Sequence, residues 1–140
     1  MILLDTSGLL AALDASERNH KAAADALRAA GSPRLLSPFV LAELDYLLGR
    51  RVSSVAARAL LAEVAAGSYQ LEPFDAQDVN SAIDHLDRYR DLALGIADAS
   101  ILVLAERHDI SDVLTLDERH FRSVRRLGGG RFRLLPADAS

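Results

Sequence analysis

The sequence predicts an α/β fold, a three-layer α/β/α sandwich around a central parallel sheet of about four to five strands. Short apolar runs of β type alternate with longer segments rich in alanine and leucine at helical spacing. Strands separated by helices pair in parallel, with both faces of their sheet covered. A third observation says where function lies. Two of the runs, in "MILLDTSGLL" and "VLTLDERHF", stop at a carboxylate, Asp5 and Asp117. Open α/β sheets bind ligands beyond the carboxyl ends of their strands, so both acids belong on that edge.

The coarse order is strand, two helices, strand, two helices, strand, two helices, strand, short helix, strand. Ile2–Leu4 opens the sheet. Glu17–Ala30 reads as a helix that stops at Gly31, with Pro33 just beyond. Arg34–Ser37 is the next strand, and Pro38–Arg50 a helix, since proline is tolerated in a first turn. Leu41, Leu44 and Leu48 form its apolar stripe. Ser53–Ala66 is a helix ending at Gly67, and Tyr69–Phe74 a strand. Asp75 is suited to cap the free N–H groups of a helix over Asp75–Tyr89. Ile96–Arg107, "IADASILVLAER", is apolar nearly all round, as befits a helix packed inside the protein. Asp112–Leu116 is a strand, "ERHF" a short helix, "GGGR" at Gly128–Arg131 a turn, and Phe132–Leu135 the last strand.

Length and composition bound the rest. At 140 residues one domain, 1–140, is the simplest expectation. Half the residues are hydrophobic and 26% charged, ordinary for a soluble globular protein. The absence of cysteine removes disulfides, thiol nucleophiles and thiolate metal sites. Asp5 interrupts the N-terminal apolar stretch and no basic leader precedes it, unlike a signal peptide. No run approaches the roughly 18 apolar residues of a membrane span. The expectation is a soluble, cytoplasmic protein.

Two further acids look misplaced for purely structural duty. Glu43, in "SPFVLAELDYLL", lies one turn into the helix after the second strand. Asp98 sits in the first turn of the most apolar helix and shares a face with Ile101 and Leu102. Helices that follow parallel strands begin on the edge where Asp5 and Asp117 emerge, so four carboxylates converge there. Singly, each has an ordinary explanation. Asp5 can satisfy a turn, Asp117 can cap "ERHF", Asp98 can complement a helix N-terminus, and Glu43 can pair with Arg50. Together, four like charges repel unless a cation joins them. A hard divalent ion, Mg²⁺ or Mn²⁺, suits carboxylates and water. Such a site hydrolyses phosphodiesters, in many nucleases with two ions about 3.5–4 Å apart.

Other chemistries fit less well. No glycine-rich phosphate cradle precedes a Lys-Ser/Thr pair, and no Gly-x-Ser-x-Gly elbow occurs. An aspartyl-phosphate phosphatase built on Asp5 wants a second acid two residues later, where Ser7 stands. A phosphoacceptor receiver needs a lysine near its last strand, but the only lysine, Lys21, lies in an early helix. A catalytically silent dimerisation module is the third rival, and retention of all four acids argues against it. The four histidines, His20, His85, His108 and His120, are scattered without zinc spacing; His120, close to Asp117, is open to contact with substrate or to an ordinary surface role.

Net charge is −4, yet Arg119, Arg122, Arg125, Arg126, Arg131 and Arg133 follow one another with no acid between them. Arginine contacts phosphate bidentately and stacks on bases. The run reads equally as a solvated surface.

The stretches "LLDTSGLLA", "SPFVLAELDYLL", "LGIADASILVLAE" and "VLTLDERHF" resemble, in order and over essentially the whole chain, the PIN-domain nucleases, and specifically the VapC toxins. The resemblance implies the sandwich fold and Mg²⁺- or Mn²⁺-dependent RNA cleavage. By position, Asp5, Glu43, Asp98 and Asp117 match the acidic quartet, with Asp5, Asp98 and Asp117 as metal ligands. Thr6 and Thr115 match the hydroxyls that hold those acids in place. A homodimer and a VapB-type antitoxin that blocks the site are also implied. Members cut tRNA or the sarcin–ricin loop of ribosomal RNA; the context of Glu43 and the "GGGRF" tail look similar to the latter branch. RNA loops can splay bases onto arginine, which gives Arg119, Arg122, Arg125 and Arg126 a role in RNA binding.

Overall fold

The computed structural model describes residues 1–140. Five strands form one all-parallel sheet: β1 (Ile2–Leu4), β2 (Arg34–Leu36), β3 (Gln70–Leu71), β4 (Asp112–Leu114) and β5 (Arg133–Leu135). Seven α-helices connect them: α1 (Thr6–Leu13), α2 (His20–Ala30), α3 (Pro38–Arg51), α4 (Ser54–Ala65), α5 (Ala76–Arg88), α6 (Ile96–His108) and α7 (Glu118–Arg122). The expected order of elements holds throughout, with a 3₁₀ turn at Arg90–Leu92 added before α6. No helix is long and apolar enough to cross a membrane.

The strand order is β3-β2-β1-β4-β5. Right-handed crossovers therefore send the β1–β2 and β2–β3 connections over one face and the β3–β4 and β4–β5 connections over the other. The chain reverses its direction of winding between β1 and β4. That is the switch point at which a parallel sheet opens a crevice beyond its strand ends. Ile2, Leu3 and Leu4 on β1, with Val113 and Leu114 on β4, are buried on both faces, as central parallel strands require. They join a continuous core of 31 buried apolar residues.

Three elements are shorter than their sequence signals by two or more residues at one end. The expected strand Tyr69–Phe74 pairs only at Gln70–Leu71, because β3 is an edge strand with a single neighbour. Asp112–Leu116 is a strand only to Leu114; the Thr115 N–H still donates to Leu135 O at 2.9 Å, while its hydroxyl bonds Asp5. Glu17–Ala30 begins at His20. Asp14 Oδ1 accepts from the Ser16 N–H at 3.0 Å and its hydroxyl at 2.7 Å, a local turn that competes with helix.

Candidate active site

The site is built at the ends of β1 and β4. Asp5 follows β1 directly, and its N–H donates to Leu114 O at 3.0 Å, continuing the sheet ladder by one residue. Although Asp5 stands at the N-cap position of α1, its side chain makes no capping bond. It turns inward, where Thr115 Oγ1 donates to Oδ2 at 2.6 Å and Ser7 Oγ donates to the same oxygen at 3.1 Å. The turn-satisfying role that the sequence allows for Asp5 is not what its carboxylate does. Thr115 Oγ1 also accepts from the Asp117 N–H at 2.9 Å, and Ser7 Oγ from the Leu116 N–H at 2.9 Å. Two hydroxyls thus tie β1 to the segment after β4.

Gly8 permits this closeness. A Cβ there would lie 2.4 Å from Leu114 O and 2.7 Å from Thr115 N, so any larger residue would force α1 away from β4. Ser7 is the site residue that the sequence reading did not single out. The signal was present in "DTS", a hydroxyl two positions after the acid.

Asp98 and Glu43 approach from α6 and α3. Ser37 Oγ, which caps α3, lies 2.6 Å from Ser100 Oγ in the core and so fixes the start of α3 against the first turns of α6. Asp98 Oδ2 accepts from the Gly95 N–H at 3.2 Å, the helix-terminal role that was its ordinary alternative. Glu43 is exposed and receives the Thr6 hydroxyl at 2.6 Å, rather than pairing with Arg50. Asp117 caps α7 by accepting the His120 N–H at 3.2 Å. The His120 ring closes the cluster: Nδ1 is 2.9 Å from Asp117 Oδ2 and 3.5 Å from Asp98 Oδ2.

Electrostatics joins the four acids into one unit. Asp5, 4% exposed, titrates near 6 instead of 3.8. Burial is the main cause, the Asp98 charge adds to it, and the bonds from Thr115, Ser7 and the Thr6 backbone pull the other way. Asp98 is likewise raised, first by burial and then by the charges of Asp117 and Glu43, against the Gly95 bond and His120. The ion pairs of this cluster reach only His120; no arginine or lysine joins it.

A divalent cation is the chemistry these donors fit. Asp5 is buried in repulsion with Asp98, and hard carboxylate oxygens prefer Mg²⁺ or Mn²⁺ to softer metals. The side chains do not stand in a finished coordination cage: no group of three or more His, Cys, Asp or Glu is set to hold an ion. Thr6 engages Glu43, and α7 engages Asp117.

The arginine run is divided by the fold. Arg122 pairs with Glu118 and Asp138, Arg126 with Asp109, and Arg133 with Asp112. Acids distant in sequence thus balance charges that are unopposed along the chain. Asp109 ends α6, about 16 Å along the helix from Asp98, so Arg126 is anchored well away from the acids. Arg125 borders a separate cavity of about 240 Å³ together with His85, Glu106 and Phe132. Arg119, exposed on α7 two residues after Asp117, is the member nearest the site in sequence.

A sequence profile described as PIN domain matches residues 2–127. The chain is 42% identical over 135 residues to Ribonuclease VapC26 of Mycobacterium tuberculosis, covering 96% of this chain and all of that protein. Its fold is similar to the crystal structure of Mycobacterium tuberculosis VapC20, described as a sarcin–ricin loop cleaving toxin. The TM-score is 0.79 at 24% identity, over 86% of this chain and 92% of that one. With the acids gathered at the β1–β4 switch point and a full-length relative at this identity, the chain belongs to the PIN-domain family, among its VapC ribonucleases.

Proposed function

We propose that this chain, as a single PIN domain over residues 1–140, is the endoribonuclease toxin of a VapBC module. It hydrolyses phosphodiester bonds in structured RNA with Mg²⁺ or Mn²⁺ as cofactor. The observation that carries the reading is the mutual repulsion of Asp5, Glu43, Asp98 and Asp117 in one crevice without a lysine or arginine partner. Asp5, Asp98 and Asp117 hold the ion, and Thr115 keeps Asp5 oriented through its 2.6 Å bond. Glu43, exposed and steadied by Thr6, is the acid free to take a proton from the attacking water. The bound ion supplies polarisation of the phosphodiester, a more acidic water and stabilisation of the departing oxyanion.

The RNA is held by Arg119, with Arg122, Arg125 and Arg126 contributing a basic flank. A ribosomal target of the sarcin–ricin type is favoured by the similarity to VapC20. A cognate VapB-type antitoxin neutralises the enzyme in the cytoplasm, and the toxin acts as a homodimer. The test is incubation of purified protein with total RNA, with and without Mg²⁺, followed by mapping of new 5′ ends. Discrete new ends that require the ion support the proposal; intact RNA under both conditions overturns it.

A further inference from the structure

We infer, on the RNA-cleaving reading, that the cavity between α5, α6 and the turn after α7 receives one unstacked guanine of the substrate. Glu106 accepts from the donor edge of that base and Arg125 donates to its acceptor edge. The cavity measures about 240 Å³. Pockets for drug-sized ligands run to roughly 300–1,000 Å³, so this smaller one suits a single flat ring system. Leu102, Ala105 and Phe132, all buried, give it an apolar lining. Leu127, also on the lining, is 77% exposed and offers an apolar face that nothing in the chain covers. The "GGGR" turn holds it there. The Arg126 N–H donates to Gly130 O at 2.7 Å and the Gly129 N–H to Arg126 O at 2.8 Å, while Gly128 and Gly129 take positive φ angles that other residues rarely adopt.

The polar groups on the lining select the base. Buried His85 brings Nε2 to 2.9 Å from Glu106 Oε1, which fixes the carboxylate through one oxygen and leaves the other for a ligand. Arg125 is anchored by its backbone N–H on Tyr89 OH at 3.2 Å and donates from Nη1 to Arg122 O at 3.1 Å. Unlike Arg122 and Arg126, it enters no ion pair, so its remaining N–H groups are open to a ligand. Guanine carries the acceptors O6 and N7 on one edge, which arginine reads, and N–H donors on the next, which a carboxylate reads. Adenine and cytosine alternate donor and acceptor along their edges, and uracil has no amine.

Position links the cavity to the acids. Asp98, Leu102 and Ala105 recur at steps of four and three residues and so share one stripe of α6. Leu102 and Ala105 lie about 6 and 11 Å along the helix from Asp98. The chain after β4 follows the same course, since His120 meets Asp98 at one end of α6 and Arg126 meets Asp109 at the other. A strand with its scissile phosphate at the acids therefore reaches the cavity with a nearby nucleotide.

Nuclear magnetic resonance titration of the ¹⁵N-labelled full chain with GMP, AMP, CMP and UMP tests the pocket, independently of RNA cleavage. GMP is expected to shift the amide signals of Leu127–Gly130 at concentrations about tenfold lower than the other three, and Glu106→Gln to abolish that preference. Mapping of new 5′ ends in total RNA then places the base: a guanine is expected at one fixed offset from the cleaved bond, and the requirement relaxes in Glu106→Gln. An equal response to all four nucleotides, or none, overturns the inference while leaving cleavage standing. GMP binding with cleavage indifferent to guanine makes the ligand a free nucleotide and overturns its assignment to the substrate. Intact RNA overturns the nuclease reading and that assignment with it. Because the decisive titration is on the unmodified protein, poor folding of the variant does not protect the inference.

Discussion

Asp5 and Glu72 are two carboxylates at strand ends with nearly the same burial, 4% and 5% exposed, and opposite fates. At Glu72, burial pushes the pKa up, but Gln70, His108 and Arg107 outweigh it and the acid titrates below its usual range. Gln70 Nε2 donates to it at 2.9 Å, Arg107 lies at 3.4 Å, and His108 is in direct contact. Arg107 is itself shared with Asp78 at 2.8 Å. At Asp5 the partners are neutral hydroxyls, the nearest relevant charge is another acid, and the pKa climbs to about 6. Near-complete removal from the surface is thus answered by the protein's own cations in one place and left unanswered in the other. An acid whose counter-charge is built in is structural; one left without a counter-charge is poised for a cation from outside.

The largest test removes the unanswered charge. Asp5→Asn should lower RNA cleavage by about 10³-fold or more, the scale of several kcal/mol of lost charge stabilisation. In metal-free buffer at pH 7.5 the same variant should unfold at a higher temperature than the wild type. A lower melting temperature there would break the contrast with Glu72.

The next test is pH. The folded pKa of Asp5, about 6, exceeds the ordinary aspartate value of 3.8, so the folded state binds more protons between those values. Stability of the metal-free protein should therefore fall as pH rises from about 4 to 6, by about 3 kcal/mol from this group alone. Glu72 has the opposite sign, and its contribution is lost as pH falls through its lowered pKa. Chemical denaturation of wild type and Asp5→Asn across pH 4–7 separates the two, because the gap between the curves should open only above pH 4.

Glu72→Gln should cost about 2 kcal/mol, since Arg107 and His108 lose their shared counter-charge but are partly solvated. Cleavage per folded molecule should stay unchanged. Reduced turnover at full folding would show that Glu72 belongs with Asp5 after all.

The smallest effects concern the arginines. Arg119→Ala should weaken RNA binding and reduce the salt slope of affinity by about one. Arg122→Ala, already engaged with Glu118 and Asp138, should mainly lower stability, by less than about 1 kcal/mol. Salt titrations of both variants decide whether internal pairing separates RNA contacts from surface balance.

The sequence by itself determined the alternation of strand and helix, because apolar periodicity and the glycine and proline stops are local properties of the chain. It also marked Asp5, Asp98 and Asp117, since a carboxylate is conspicuous at the end of a buried run or on an apolar helix face. Ser7 went unmarked, because a hydroxyl in a turn has many uses and only the approach of Thr115, 108 residues away, selects one. The charge balance of the arginine run was hidden for a related reason: Asp109, Asp112 and Asp138 pair with parts of it across the fold. Strand order, the switch point between β1 and β4, and the difference between Asp5 and Glu72 were decided only by tertiary structure. Each depends on which charges and hydroxyls long-range packing brings within a few ångströms, and electrostatic free energy is set by that distance and by burial rather than by position along the chain.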